Sequence, residues 1–244
     1  MKVALTFSYD GSRFLGSQSQ PHGNSVEDAL KSALACVGIF DAPIMSSRTD
    51  KGVHALRQCA SVRVGEYWIG RTNVLLEQIQ RHLPSSIRLS KIMVVDDGFH
   101  ARYDATARTY RYIISHADKE PFSAQYYTYL PPFDVLRADR ILSEFKGTKD
   151  FNAFMKVGSD TKSSIRTITL ARCYKVGDKS VIVLRANGFL RSQVRLIVAA
   201  VLKALTLKNG ADLQAIKDQL NGIKVLTRMP APAQGLYLSR VHYF

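Results

Sequence analysis

From Val3 to Tyr9 apolar and polar residues alternate, with Val3, Leu5, Phe7 and Tyr9 on one side, and this period of two predicts a half-buried strand. Asp10-Gly11-Ser12 stops it, and Phe14 to Gly23 is a loop rich in Gln and Ser. The period then lengthens. Ser25 reads as an N-cap with Glu27 and Asp28 in the first turn, and Val26, Leu30, Ala33, Leu34 and Val37 share one helical face. An apolar run, Ala42 to Met45, leads into a crowded polar stretch, Ser46 to Ala55, after which Cys59 to Val64 is strand-like again. Arg71 to Leu83 carries a helical stripe of Val74, Leu75, Ile79 and Leu83 that Pro84 closes, and Ile87 to Val95 returns to strand. This order is that of a split β-α-β unit.

Asp96 to Arg108 is polar and contains Gly, so the boundary between two domains is expected there, with residues 1–105 forming one and 106–244 the other. Thr109 to His116 is a strand with Tyr110 and Tyr112 on one face and Arg111 between them. Val135 to Phe145 has helical spacing, and Ile165 to Lys175 and Val181 to Ala186 are strands around the turn Gly177-Asp178. Phe189 to Leu207 is the longest helical candidate, its wide apolar face made by Val194, Ile197, Val198, Val201, Leu202 and Leu205. Asp212 to Leu220 is a shorter helix, and Gly235 to Tyr243 a closing strand. The second half repeats the pattern of the first, which predicts an α+β protein with an antiparallel or mixed sheet.

Composition narrows the partner. A chain of 244 residues, 46% of them apolar, can bury a real core. Thirty-four Lys and Arg against twenty Asp and Glu give a formal charge of +14 and a pI near 9.8, which favours a polyanionic partner. No apolar run approaches the roughly eighteen residues that would span a bilayer, and Met1 to Gly11 lacks a signal-peptide layout. A soluble cytoplasmic protein with no membrane contact is therefore expected, with nucleic acid as the polyanion. Cys36, Cys59 and Cys173 are too few and too far apart for a disulfide framework or a zinc site. His22, His54, His82, His100, His116 and His242 show no ligand spacing either, so no metal is expected.

Ser46 to Ala55 places Arg48, Asp50, Lys51 and His54 within a few residues. Taken alone this leaves two readings open, because Asp two positions before Gly is ordinary turn chemistry as well as a way to present a carboxylate. Tyr110 and Tyr112 suit either stacking against unpaired RNA bases or a core with satisfied hydroxyls. Arg191 and Arg195 suit either phosphate or solvent.

Five segments in order decide between these readings. Ser47-Arg48-Thr49-Asp50-Lys51-Gly52-Val53-His54-Ala55 resembles the R-T-D-x-G-V-H-A signature of the tRNA pseudouridine synthase A (TruA-type) family. Tyr9-Asp10-Gly11-Ser12, Phe99-His100-Ala101-Arg102 running on to Ala107-Arg108-Thr109-Tyr110-Arg111-Tyr112, Phe189-Leu190 with Gln193-Val194-Arg195, and Ala233-Gln234-Gly235-Leu236-Tyr237-Leu238 match further family segments. The resemblance spans nearly the whole chain. Departures include Gly16-Ser17-Gln18 where Gly-Trp-Gln is usual, and Ser47 in place of a glycine.

That resemblance implies a pseudouridine synthase fold: two similar α/β halves sharing a central, mainly antiparallel sheet with helices packed on it, and an active site in the cleft between them. It implies an isomerase that converts uridine to pseudouridine at positions 38, 39 and 40 in the anticodon stem-loop of tRNA, without metal or organic cofactor, as a homodimer gripping tRNA. By the same resemblance Asp50 is the nucleophile, Arg195 the arginine that pairs with it, and Tyr110 the ring that lies against the target base. Arg48 and His54 join Tyr110 and Arg195 as expected substrate-binding residues, His54 alternatively ordering the loop. Tyr112 is expected to support Tyr110. The rival expectation is a catalytically silent tRNA-binding protein or chaperone of the same fold.

Overall fold

The computed structural model describes every residue except His22, Asp160, Asn209 and Phe244. His22, one of the six histidines weighed as metal ligands, thus lies outside the described residues. In chain order the elements are β1 (Lys2–Tyr9), α1 (Val26–Cys36), β2 (Ile44–Met45), β3 (His54–Arg63), α2 (Thr72–His82), β4 (Ile87–Val95), β5 (Ala107–Ser115), β6 (Thr128–Tyr129), α3 (Val135–Ser143), β7 (Gly147–Asp150), β8 (Ile165–Val176), β9 (Lys179–Ala186), α4 (Gln193–Leu205), α5 (Ala211–Leu220) and β10 (Leu236–His242). The chain divides into two compact units, Met1–Thr106 with Tyr237–Phe244, and Ala107–Leu236. The α+β class and the mainly antiparallel pairing read from the sequence are what it forms.

In the first unit β4, β1 and β3 are successive antiparallel neighbours, and β10 lies parallel to β3 with Tyr237 beside His54. The period of two in β1 buries Val3, Leu5, Phe7 and Tyr9. Leu30 and Leu34 of α1 and Leu75 and Ile79 of α2 are buried with them. On Ser25 the expected cap is a full capping box: its hydroxyl accepts from Asp28 N–H while the Asp28 carboxylate accepts from Ser25 N–H. Val74 departs from expectation. It is exposed, because the buried stripe of α2 runs through Leu75, Ile79 and Leu83 at intervals of four, and Val74 lies one residue off that line.

β3 starts at His54, not Cys59. Its first residues escape a period-two reading because Leu56 and Arg57 are both exposed, yet pairing with β1 and β10 holds them extended. The register with β1 shifts between Phe7 and Tyr9, which locally breaks the alternation.

In the second unit β5 pairs antiparallel with β9, β9 with β8 and β8 with β7, while β6 adds a short parallel pair to β5. Tyr112, Ile114, Ile168, Ala171, Ile182 and Leu184 make the buried sheet face, and Ala138, Ile141 and Leu142 of α3 are buried with it. The longest expected helix is shorter than its hydropathy suggests: α4 begins at Gln193, because Ser192 takes a left-handed φ of 59° and cannot continue a helix from Phe189. From there it is buried on most sides, through Val194, Leu196, Ile197, Val198, Ala200, Val201 and Ala204. No helix among the described residues is long and apolar enough to cross a membrane.

Candidate active site

The Asp50 turn is built from both local chemistry and close packing. Val53 N–H donates to Asp50 C=O at 3.1 Å, and Gly52 between them has φ 80°, the positive value that a type II turn requires at its third position. Behind it, Gly11 lies so close that a Cβ there would fall 2.0 Å from Val53 O, so only glycine fits. Gly11 N–H donates to His54 Nδ1 at 3.1 Å. The His54 ring is 2% exposed and stacks on Tyr237, with centroids 4.7 Å apart. Asp10 Oδ1 also approaches Nδ1, at 3.3 Å. One nitrogen cannot accept from Gly11 and donate to Asp10 together.

Two residues that sequence reasoning passed over hold the segment entering this turn. Ser17 is buried; its N–H donates to Thr49 C=O at 3.1 Å, and its Oγ accepts Thr49 N–H at 2.8 Å. Both main-chain groups of the residue before Asp50 are thereby fixed. Tyr9 OH and Thr49 Oγ1, 2.8 Å apart, secure its side chain. Gln58, also buried, accepts the Ser46 hydroxyl at 2.6 Å and donates to Ser47 C=O at 3.0 Å. Asp50 itself is half-buried, while Arg48 and Lys51 on either side of it are exposed. The first unit therefore carries Arg48, Asp50 and His54 on one short segment, the half-buried Asp50 between exposed cations, on a backbone tied at Thr49 and Val53.

Tyr110 and Arg195 belong to the second unit. Tyr110 is 8% exposed, paired in register with Leu184, and meets the edge of Phe189 at 5.3 Å and 89°. Arg195 sits in the first turn of α4, where Nε donates to Ala231 C=O at 2.6 Å and Ala231 N–H returns a bond to Arg195 C=O at 3.0 Å. Tyr112, next on the face of Tyr110, is fully buried; its OH bonds Thr128 Oγ1 at 2.6 Å and donates to Pro232 C=O at 2.9 Å. Burial pushes its hydroxyl up to about 12, against the pull of the Thr128 bond and of Arg195. Tyr112 is thus an un-ionised anchor. Gly235 shows why: a Cβ there would be 2.9 Å from the Tyr112 ring and 2.7 Å from Thr128 Oγ1.

The short motifs of the sequence are therefore one physical device each: glycines where two segments touch, hydrogen-bonding side chains where a turn must not move. Residues 141–243 match the model of a family of pseudouridine synthases, the tRNA pseudouridine synthase family. Over the whole length of both chains the protein is 46% identical to tRNA pseudouridine synthase A of Campylobacter jejuni. It is 38% identical to tRNA pseudouridine synthase A of Helicobacter acinonychis, over 98% of each chain, and 36% to that of Limosilactobacillus reuteri, over 99% of this chain and 96% of that one. The chain belongs to the tRNA pseudouridine synthase A family.

Proposed function

We propose that the protein isomerises uridine to pseudouridine in the anticodon stem-loop of tRNA, at positions 38, 39 and 40. The reaction breaks the bond between the ribose and a ring nitrogen, turns the base, and joins the ribose to a ring carbon instead, that carbon losing its proton to a base while the freed nitrogen gains one. No atom or electron is gained or lost, so a nucleophile, a base-holding ring and a cation can supply the chemistry. Asp50 is the nucleophile, Tyr110 stacks on the target base, and Arg195 is the cation that favours the ionised carboxylate. Arg48 holds RNA at the mouth of the turn. Its burial under Gly11 and Tyr237 gives His54 a positioning role, keeping the Asp50 turn in place, instead of a contact with RNA. A cytoplasmic homodimer acting on one tRNA across both copies completes the reading.

The observation that carries this reading is identity to synthases along the entire chain, with the R-T-D segment folded into a braced turn that presents Asp50. Asp50→Ala and Asp50→Asn test it. Both should abolish pseudouridine formation on an unmodified tRNA transcript while keeping tRNA binding, which should still weaken steeply with salt. Appreciable turnover by either variant removes Asp50 from the chemistry. Absence of turnover in the parent protein, with binding intact, leaves the silent tRNA-binding reading.

A further inference from the structure

The segment Phe99-His100-Ala101-Arg102 has no part in the chemistry above, yet it is held as firmly as the Asp50 turn. Ala101 is fully buried; its N–H donates to Ser61 Oγ at 3.3 Å, and its C=O accepts Tyr243 OH at 2.8 Å. Phe99 and Tyr243 pack beside it on the sheet with Ala4 and Cys59. With Ala101 as the pin, the neighbouring side chains must point outwards, and there they form a stack. The His100 ring lies 4.3 Å from the Tyr103 ring, tilted by 33°, and the Arg102 guanidinium is 5.7 Å from the same ring. His100 is itself locked, since its Nδ1 accepts N–H from both Arg102 and Tyr103 at 3.2 Å. Tyr103 nevertheless remains 75% exposed.

A large ring held in a fixed orientation by His100 and Arg102 and still mostly in water keeps contact area available for a partner. Two of the exposed acids nearby are engaged by backbone: Asp104 Oδ2 accepts His100 N–H at 2.8 Å, and Asp96 Oδ1 accepts Gly98 N–H at 2.9 Å. What projects is a flat aromatic surface with an arginine plane beside it, which suits the face of a nucleobase better than a phosphate. We propose that Tyr103, backed by His100 and Arg102, is a stacking platform for an unpaired base of the RNA other than the reacting nucleotide. The proposal rests on the reading of the protein as an RNA-acting enzyme.

The test measures dissociation constants of the full-length protein for an unmodified tRNA transcript. Tyr103→Ala should weaken binding by about five- to a hundredfold, the range for loss of one stacked base, with the slope against salt unchanged because no charge is removed. Tyr103→Phe should stay within about twofold of the parent, since only the ring is needed. In Tyr103→Trp, addition of the transcript should quench the new indole, read against Trp68, the single native tryptophan. Binding by Tyr103→Ala within twofold of the parent, or an unquenched Tyr103→Trp, overturns the platform. So does a Tyr103→Ala protein that binds RNA normally but sediments as a smaller species, because the ring then belongs to a contact with a second copy. Pseudouridine formation by the parent is scored separately, so loss of the platform and loss of the enzymatic reading are distinct results.

Discussion

The two units hold their candidate reactive groups by opposite means. In the first, the Asp50 turn is pressed against Gly11, tied by Ser17 and backed by His54, and the positive φ values at the turn and against it fall on glycines, Gly52 at 80° and Gly16 at 122°, although Asn24 elsewhere in the unit takes φ 60°. In the second, Arg195 follows Ser192, a non-glycine residue held at φ 59°. Beside it the buried Gln193 Oε1 accepts Leu190 N–H at 2.8 Å, while its Nε2 has no hydrogen-bond partner among the described residues. The Asp50 turn is relaxed and closely packed; the start of α4 is strained and held from outside. A carboxylate that must meet one atom gains from rigidity, whereas the α4 start keeps its geometry only because anchors elsewhere impose it.

The largest effect should come from breaking the packed turn. Gly11→Ala puts a methyl 2.0 Å from Val53 O and should cost about 3 kcal/mol or more, with loss of pseudouridine formation, read by chemical denaturation and by turnover. Gly38→Ala is its control. Gly38, unlike Gly11, has a positive φ, 77°, and among the described residues nothing lies within 4 Å of its Cβ position, so only about 1 kcal/mol should be lost. Equal costs at the two sites would show that the close approach to Val53 is not what makes Gly11 costly to replace.

Next comes the far end of α4. Arg137 donates from Nε to Asp212 at 2.6 Å and from its other nitrogens to Leu205 C=O at 3.3 Å and Leu207 C=O at 2.8 Å, closing the helix that carries Arg195. Asp212 is 3% exposed, so Arg137→Ala strands a buried carboxylate and should cost about 3 kcal/mol. The Arg137 hydrogen bond, against the opposing effect of burial, holds the Asp212 carboxyl below its ordinary value of 3.8. A lowered native value means the contribution is fully present above that pH and is lost as pH falls through the native value. The stability gap between parent and Arg137→Ala should therefore be constant from pH 5 to 7 and close in stronger acid, as followed by denaturant midpoints across pH.

A smaller effect is expected at Ser17. Ser17→Ala removes the acceptor of Thr49 N–H and should cost about 1–2 kcal/mol. Because the loss lies one residue from Asp50, turnover should fall about tenfold or more while tRNA affinity holds within twofold. An unchanged turnover would mean that Gly11 and His54 alone set the position of the carboxylate.

How far each device could be read from the sequence follows from the distance over which it works. Asp50, Gly52 and His54 are contiguous, so turn chemistry and the R-T-D pattern expose them together. Ser17 and Gln58 were missed because their bonds reach across 32 and 11 residues, and nothing local in a Ser or a Gln tells which backbone group it will meet. Helix α1 and strand β1 were legible through burial on one face, whereas β6 and β7 were not, being edge strands of two and four residues with no alternation to show. Hydropathy placed α4 but not its first residue, since apolar spacing continues through Phe189 and Leu190 while the backbone turns left-handed at Ser192.

That turn gives the finest test of the contrast between the units. Asn tolerates left-handed backbone better than Ser, because its amide can bond locally in that conformation. Ser192→Asn should therefore stabilise the protein by about 0.5–1 kcal/mol, seen as a higher denaturant midpoint at an unchanged slope. The same relief applied where strain is already carried by glycine has nothing to gain: Gly52→Asn should destabilise or leave stability unchanged. If Ser192→Asn is stabilising and turnover is unaffected, the strain at α4 is a by-product of placing Arg195. If stability rises while turnover falls, the strained backbone is itself part of how the arginine is presented.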